Sequence, residues 1–249
     1  MDHYNPYSLQ GKTILITGAS SGIGRGIAVE CAKFGAVVIL TGRNEVKLNE
    51  TLALMEGEGH RVISADLTNA QDIGNLVNKI PQLNGIVHCA GIGQRKLCKQ
   101  IDEQDIDSIF AVNFKAPVML QTQILKMKKL EKEASIIFLA SIASESSSIG
   151  NSLYSATKGA LISYSNCLKL ELAPRKIRVN CISPAMVWTD LVMEGGITKA
   201  DLQEDEKTYP LKRYGTPEDI SFLAIYLLSD VSAWMTGSNL KITGGRTVL

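Results

Sequence analysis

Residues 13–24, TILITGASSGIG, join a short apolar run to a glycine-rich turn that opens a helical pattern. Glycines permit a tight turn and let the backbone approach a pyrophosphate closely. The following helix N-terminus offers free N–H groups and the positive end of its dipole to phosphates. A glycine-rich turn alone is a weak signal, but it is considerably stronger between the first strand and the first helix of a βαβ unit. This stretch therefore predicts an α/β domain that binds a dinucleotide.

The rest of the chain alternates short apolar runs with longer helical patterns. Strand–helix alternation implies parallel strands joined by right-handed crossovers, which gives a doubly wound parallel sheet with helices on both faces. We expect the strand order 3-2-1-4-5-6-7. Strands are predicted at residues 13–17, 37–40, 62–65, 85–89, 136–140, 179–182 and 239–242, and helices at 23–34, 45–57, 70–80, 103–129, 154–172 and 217–228. No linker or charge run divides the chain, so we predict one domain over residues 1–249.

Composition excludes several classes of function. The chain has 249 residues, 45% of them hydrophobic, and a formal net charge of +1. A dedicated nucleic-acid or membrane-surface binder would usually show a strong basic bias. No apolar run approaches the roughly 18 residues of a membrane span. The first ten residues have neither the basic nor the apolar region of a signal peptide, so a cytoplasmic location is expected.

The cysteines and histidines carry no metal-binding pattern. The five cysteines are scattered and never form C-x-x-C, which is typical of reduced thiols in a cytoplasmic protein. The three histidines are far apart in sequence, and we predict no metal site. His88 follows an apolar strand and either lies near a site or packs in the interior. We favour packing.

The end of the second strand bears on which dinucleotide is bound. An acid there would accept hydrogen bonds from the adenosine ribose and repel a 2′-phosphate. The chain has Arg43 instead, with no acid before Glu45. Its planar cationic fork suits a phosphate, so NADPH is favoured over NADH; a solvated loop arginine is the alternative. Asp66 ends the third strand and either accepts a hydrogen bond from the adenine amino group or forms a turn before Thr68.

Tyr154 and Lys158 are the strongest candidates for chemistry. Residues four apart on a helix lie one turn from each other on the same face. A lysine ammonium near a phenol favours the phenolate, and such a tyrosine can exchange a proton with an alcohol near neutral pH. The spacing alone is common by chance. Its weight comes from Ser141, which follows an apolar run upstream, and from the glycine-rich turn.

With these pieces together, the chain resembles the short-chain dehydrogenase/reductase family along nearly its whole length. The matching motifs are TGASSGIG at 17–24, Asp66, Asn113, Ser141, Tyr154 with Lys158, and NCISP at 180–184 followed by Thr189. The resemblance implies a Rossmann fold with Tyr154 as general acid in reduction and general base in oxidation. Lys158 would assist it and bind the nicotinamide ribose, and Ser141 would donate to the substrate carbonyl oxygen.

Asn113 would sit in a long helix and hold a water that connects Lys158 to solvent. The alternatives are purely structural roles: Ser141 as a polar residue at a strand end, and Asn113 as a residue at a helix kink ahead of Pro117. For NADP(H), the resemblance implies contacts from Gly18, Ser20, Ser21, Gly22, Ile23, Gly24, Arg43, Asp66, Leu67, Ala90, Gly91, Tyr154, Lys158, Pro184 and Thr189.

Three positions depart from the family pattern. His88-Cys89-Ala90-Gly91 stands where Asn-Asn-Ala-Gly is usual, Pro184-Ala185 where Pro-Gly is usual, and Thr243-Gly244-Gly245 where Asp-Gly-Gly is usual. The missing asparagine puts the fine geometry of the central strand and cofactor pocket in doubt. None of the three removes a group that performs chemistry.

Length and layout are most similar to 3-oxoacyl-acyl-carrier-protein reductases and their relatives that act on sugars, sterols and small ketones. The resemblance implies an NADPH-dependent ketone reductase, with an acyl-carrier-protein thioester as one candidate substrate. An alcohol or sugar dehydrogenase working oxidatively and a non-catalytic dinucleotide-binding regulator are the alternatives. A carrier protein would need a basic patch. Residues 126–129 and 175–176 either form it or simply meet helix dipoles.

Residues 189–213 break the alternation and carry much charge. Such insertions are often substrate lids, and a surface loop with a short helix and no role is the alternative. The helices at 103–129 and 154–172 carry more apolar positions than one sheet face needs. Similar proteins pair these helices across two-fold axes, so we predict a homotetramer, with a dimer second.

Overall fold

The computed structural model describes residues 4–146, 148–193 and 197–246. Within these residues the chain forms a seven-stranded sheet in the order 3-2-1-4-5-6-7, and every neighbouring pair is parallel. The predicted fold class and strand order are confirmed. The strands are β1 Thr13–Thr17, β2 Val37–Gly42, β3 Arg61–Ser64, β4 Leu83–His88, β5 Leu130–Leu139, β6 Arg178–Pro184 and β7 Asn239–Ile242.

Helices cover both faces of this sheet. They are α1 Gly22–Lys33, α2 Glu45–Ala53, α3 Ala70–Lys79, α4 Glu103–Phe110, α5 Ala116–Lys126, α6 Ser152–Leu172, α7 Asp190–Met193, α8 Lys199–Thr208 and α9 Pro217–Leu228. A π-helical segment, Ala111–Lys115, joins α4 to α5, so the long helix predicted at 103–129 is one rod with a π turn inside it. It ends at Lys126 because Lys128 adopts a positive φ of 52°.

The core lies in two layers because successive strand side chains point to opposite faces of a sheet. In β1, Ile14 and Ile16 pack into the layer that contains the buried residues of α1 and α9. Leu15, between them, packs into the layer beneath α3, α5 and α6. Strands buried on both faces read as continuous apolar runs, which is why the strand signal in the sequence was strong.

Parallel strands bring their carboxyl ends to one edge of the sheet. Arg43 follows β2, Asp66 follows β3, Ala90 follows β4 and Ser141 follows β5, and the glycine-rich turn follows β1. The strand order reverses between β1 and β4, and ligands of open α/β sheets bind in the crevice at such a switch point. The topology therefore gathers the predicted site residues at one place. In the described part of the chain, no helix combines the length and the apolar character that crossing a bilayer requires.

His88 is packed in the interior, as favoured from the sequence. It is buried at the end of β4, its ring stacks on Phe138 with centroids 4.6 Å apart, and Nε2 lies 3.0 Å from Oε1 of Gln121. Burial lowers its pKa from the ordinary 6.5 to about 4, against the opposing effect of the Gln121 bond. The neutral ring is thus the form that the folded protein accommodates.

This burial predicts a pH dependence of stability. The folded pKa lies below the unfolded value, so the unfolded chain binds a proton between pH 6.5 and 4 that the folded chain does not. Stability from His88 is complete above pH 6.5 and falls by up to about 3 kcal/mol as the pH drops to 4. Urea unfolding of the wild type and His88→Asn at pH 7.5, 6 and 5 should show the stability gap narrowing with acid. A gap that stays constant with pH would contradict the assignment.

Candidate active site

The N-terminus of α1 is open toward the crevice. Ser21 occupies its N-cap position without a side-chain capping bond to any described residue, and the first turn carries no acid. By contrast, Asn44, Asn69 and Asp102 cap α2, α3 and α4 with their side chains. The first N–H groups of a helix need partners. Those of α1 are left available for an anion, as a dinucleotide pyrophosphate requires.

Close backbone contacts hold the glycine-rich turn. Gly18 has a φ of +66°, and a side-chain carbon there would lie 2.8 Å from Cα of Ala90. A side-chain carbon on Gly24 would overlap the carbonyl oxygen of Gly18 and lie 2.8 Å from its carbonyl carbon. Oγ1 of Thr17 accepts hydrogen bonds from the backbone N–H groups of Cys89 and Ala90, both at 3.0 Å. One hydroxyl therefore joins the ends of β1 and β4, where the order reverses.

Thr17 was not among the predicted cofactor contacts, although its place as the last residue before the glycine turn was a usable signal. Its bonds bear on the departure at Cys89, since the junction is tied through backbone groups rather than through the side chain of residue 89. Burial raises the pKa of the Cys89 thiol to about 12, with the Lys158 charge opposing the shift. The thiol thus stays neutral and packs as a small apolar group beside the cavity.

Two side chains anchor the turn to α2. Arg25 donates to the carbonyl oxygen of Ser20 at 2.6 Å and to Oγ1 of Thr51 at 3.0 Å. The Thr51 hydroxyl is within 2.9 Å of the carbonyl oxygen of Ala19 and donates to it. These long-range bonds were not predicted, because nothing in the local sequence shows that residues 25 and 51 meet the turn.

The far end of the crevice is cationic. Arg43 is exposed and lines the cavity, and so does Lys47 from the first turn of α2. Asp66 accepts from the backbone N–H of Thr68 at 2.9 Å and from its hydroxyl at 2.7 Å, so it forms a turn. These two bonds hold the pKa of the Asp66 carboxyl below its usual value, and the Arg43 charge adds to the effect. Asp66 also lines the cavity, so the turn and an adenine contact are compatible.

Tyr154, Lys158 and Ser141 line the same cavity as the glycine-rich turn. Lys158 is buried on α6, and its Nζ donates to the carbonyl oxygen of Leu139 at 2.7 Å. The same Nζ lies 5.5 Å from the centre of the Tyr154 ring. Oγ of Ser141 accepts from the backbone N–H of Ala143 at 3.1 Å. A hydroxyl that accepts in this way keeps its own proton for donation.

Asn113 lies in the π-helical segment behind this group. Its Oδ1 accepts from the N–H of Ile92 at 2.8 Å, and its Nδ2 donates to the Ile92 carbonyl at 2.9 Å and to Oγ1 of Thr157 at 3.2 Å. A side-chain carbon on Gly91 would lie 3.3 Å from Oδ1 of Asn113 and 3.5 Å from Nζ of Lys158. The amide is thus used to fix the chain after β4. π turns inside helices are frequent at functional sites.

A single cavity of about 1190 Å³ connects these groups. Every predicted site residue except Asn113 lines it. Those residues are Gly18, Ser20, Ser21, Gly22, Ile23, Gly24, Arg43, Asp66, Leu67, Ala90, Gly91, Ser141, Tyr154, Lys158, Pro184 and Thr189. Asn113 is fully buried instead.

The described parts of region 189–213 form one wall of this cavity. Leu191, Val192, Leu202, Asp205 and Tyr209 line it from this side, and Arg246, beyond β7, joins them. Gly195 and Gly196, which were part of the predicted lid, lie outside the described residues. Arg246 was missed because it stands 41 positions from the helix residue Asp205 that it contacts.

The basic cluster at residues 126–129 and 175–176 lies elsewhere. Its two parts precede β5 and β6, which puts them at the amino ends of strands whose carboxyl ends carry the site. Lys129 donates to the carbonyl oxygen of Ile80, and Lys176 pairs with Glu133. This cluster does not line the cavity. Lys129 meets the C-terminal end of α3, which agrees with the helix-dipole alternative.

Comparison with known proteins gives consistent matches. A family model described as Enoyl-(Acyl carrier protein) reductase matches residues 18–247. The 3-oxoacyl-acyl-carrier-protein reductase FabG of Rickettsia felis is 33% identical over 95% of this chain and 97% of its own length.

Two solved structures share the architecture. A short-chain dehydrogenase/reductase, SDR:glucose/ribitol dehydrogenase, from Brucella melitensis has a TM-score of 0.88 and 32% identity over 95% of this chain and 96% of its own. A short-chain type dehydrogenase/reductase from Mycobacterium ulcerans has a TM-score of 0.87 and 30% identity over 96% of this chain and 90% of its own.

Proposed function

Because the chain belongs to the short-chain dehydrogenase/reductase family and is an oxidoreductase, we propose that it reduces a ketone to a secondary alcohol with NADPH. The observation that carries the proposal is the arrangement of Tyr154, Lys158 and Ser141 on the same cavity as the open N-terminus of α1. Neither part alone specifies the reaction. Together they support a reaction that needs both a proton donor and a bound dinucleotide at one substrate.

The residues around the turn fit a dinucleotide. The N–H groups of the first turn of α1 would meet the pyrophosphate. Because Gly18 and Gly24 have no side chains, the backbone packs closely there and stays accessible to the ligand. When bound, the reduced nicotinamide supplies the hydride. Lys158, which lies near Gly91 and Tyr154, would hold the nicotinamide ribose.

The chain's own groups would manage the proton. Ser141 donates a hydrogen bond to the substrate carbonyl oxygen, where negative charge grows during reduction, and Tyr154 transfers its proton to the same oxygen. The Lys158 ammonium, fixed by the Leu139 carbonyl, stabilises the phenolate that remains. In oxidation the same groups act in reverse. The relay through a water beside Asn113 belongs to this proposal.

The preference for NADPH rests on Arg43 and Lys47, the two cations beside the expected position of the adenosine ribose. Charge-assisted bonds to a phosphate are strong, so Arg43→Ala should raise the KM for NADPH by about ten- to hundredfold and leave the KM for NADH nearly unchanged. Arg61→Ala is a matched control, because Arg61 is exposed at the amino end of β3 and outside the cavity. An unchanged ratio of the two KM values in Arg43→Ala would refute the assignment.

The substrate class has two candidates. The apolar side chains Leu191, Val192 and Leu202 favour a hydrophobic ketone, and the FabG relative suggests a 3-oxoacyl thioester, including one carried by an acyl carrier protein. The carboxylates Asp201 and Asp205 line the same wall and favour a hydroxylated substrate, which a sugar or alcohol dehydrogenase working oxidatively would use.

One activity screen distinguishes the two substrate classes. NADPH oxidation is followed over acetoacetyl thioesters, keto-sugars and cyclic ketones, and the reverse reaction over the matching alcohols with NADP⁺. Turnover of a thioester or cyclic ketone supports the first candidate, and turnover of a sugar supports the second. NADPH binding without any turnover across the panel would point to the non-catalytic regulator.

We also propose that the chain assembles as a homotetramer, with a dimer second. The exposed side chains of Ile106, Met119 and Leu170 on α4, α5 and α6 support this assembly, because burial of such apolar surface favours association. Sedimentation at micromolar concentration measures the state, and a lone monomer would contradict the proposal. The cytoplasmic location stays a prediction.

A further inference from the structure

The chain beyond β7 returns to the cavity wall and places Arg246 on helix α8. Nη1 of Arg246 donates to Oδ1 of Asp205 at 3.1 Å and to Oγ1 of Thr208 at 3.0 Å. Its guanidinium carbon lies 4.9 Å from the centre of the Tyr209 ring, within the range of a cation–π contact. Arg246 therefore touches the last turn of α8 and the residue that follows it.

Helix α8 has little apolar packing of its own. Leu202 is its one buried residue among those described, and most of the others are polar and exposed. A helix without a wide apolar face depends on polar contacts for its position. Here those contacts converge on two neighbouring carboxylates, Asp205 and Glu206.

Glu206 is held from the body of the protein. Its Oε1 accepts from Nε1 of Trp188 at 2.9 Å and from the backbone N–H of Tyr214 at 2.8 Å. Oδ2 of Asp205 accepts from the Tyr214 hydroxyl at 2.7 Å, and Oδ1 of the same carboxylate accepts from Arg246. Arg246 thus gives the second carboxylate oxygen its hydrogen-bond partner. Within the described residues, Arg246 is the contact to α8 that comes from the segment after β7.

We propose that Arg246 is a positioning residue for substrate binding: it fixes α8 in the cavity wall and thereby sets substrate affinity. The inference rests on the proposed function, since Leu202 and Asp205 of α8 line the half of the cavity where that function puts the substrate. The side chain of Arg246 contacts Asp205, Thr208 and Tyr209 rather than the proposed proton-transfer residues. Its loss should change KM and spare the chemical step.

Steady-state kinetics supply the first test. Arg246→Ala should raise the KM of the best carbonyl substrate by about three- to tenfold and change kcat by less than about twofold, as expected for two exposed polar bonds and one ring contact. Arg246→Lys should fall between, because lysine keeps the charge but lacks the planar fork. Arg61→Ala, which removes an exposed arginine at the amino end of β3 and outside the cavity, is the control and should change neither constant.

A double-mutant cycle tests whether the ion pair is the cause. Asp205→Asn keeps an oxygen for the Tyr214 hydroxyl but loses the charge that Arg246 meets. If the pair acts as one unit, Arg246→Ala in the Asp205→Asn background should raise KM much less than it does in the wild type. Fully additive effects on KM would overturn the proposed pairing.

A readout that does not need turnover keeps this inference separate from the proposed function. Amide hydrogen exchange over residues 199–208 should be faster in Arg246→Ala, while exchange in α1 stays unchanged. Trp188 donates to Glu206 of α8, so its fluorescence emission should change when α8 loosens in Arg246→Ala. The measurement uses a Trp234→Phe background, in which Trp188 is the single tryptophan. Unchanged exchange in α8, or faster exchange with an unchanged KM, would overturn the inference. A wild type that reduces no substrate would instead refute the function, and exchange would still decide whether Arg246 holds α8.

Discussion

Replacing Tyr154 with phenylalanine is expected to lower kcat/KM for carbonyl reduction by about a thousandfold or more, with little change in NADPH affinity. The phenylalanine ring keeps the packing of α6 and the contact with Lys158, whose Nζ lies 5.5 Å from the ring centre. Only the hydroxyl that is proposed to transfer the proton is lost. Bound cofactor can then still approach the carbonyl, but no group on the chain protonates the oxygen as its charge develops.

Tyr164→Phe is the matched control for this loss. Tyr164 lies on the same helix and packs edge-on against Phe114 and Phe138, away from the cavity. The chemical change is identical, so an effect of hydroxyl removal on α6 itself would appear in both variants. Titration of NADPH fluorescence measures binding, and NADPH oxidation measures turnover. If Tyr154→Phe retained wild-type turnover, another residue would have to be the acid and the proposed mechanism would be wrong.

The sequence predicted the bounds of helices and strands well where a local pattern marks them. Helix α9 begins at Pro217 and ends at Leu228 as predicted, since its Thr216 cap and proline define the start. Strand β5 begins at Leu130, six positions before the predicted start, because Glu131, Lys132 and Glu133 are exposed and hide the strand in a charged run. Helix α8 was missed for a related reason, since one buried residue leaves no apolar period to detect.

The site was predictable to the extent that it is built from sequence motifs. Tyr154, Ser141 and the glycine-rich turn carry short signals, and the parallel topology brings them together. Side chains that act through long-range hydrogen bonds carry no such signal in the sequence. Arg25 and Thr51 fix the turn from α1 and α2, and Arg246 reaches α8 from the segment after β7. Such pairs depend on tertiary contacts that a local pattern does not encode.

Two of the departures from the family pattern, Ala185 and Cys89, are accommodated without backbone strain. Ala185 stands where glycine is usual, and it adopts no positive φ; its N–H donates to the Ile242 carbonyl at 3.0 Å. Cys89 leaves the joint between β1 and β4 intact, because Thr17 ties that joint through backbone N–H groups. These two substitutions therefore disturb neither the sheet nor the position of the turn.

Gly24→Ala is expected to weaken NADPH binding by about a hundredfold and to lower the free energy of unfolding by about 1–3 kcal/mol. The added carbon would overlap the carbonyl oxygen of Gly18 and lie 2.8 Å from its carbonyl carbon. Both atoms belong to backbone, so no side-chain rotation relieves the overlap. The turn must move away from α1, and its N–H groups then no longer converge on the pyrophosphate.

Gly74→Ala separates this effect from the general consequence of adding a methyl group to a helix. Gly74 lies in α3, and no atom of the surrounding structure comes within 4 Å of a side-chain carbon added there. Alanine loses less entropy than glycine on entering a helix, so this variant should gain roughly 0.5–1 kcal/mol of stability and keep its NADPH affinity. Urea unfolding and NADPH titration of both variants measure the two quantities. Equal NADPH affinity in Gly24→Ala and Gly74→Ala would mean that the cofactor does not use this turn, because the packing around Gly24 leaves no way to insert the carbon and keep the turn in place.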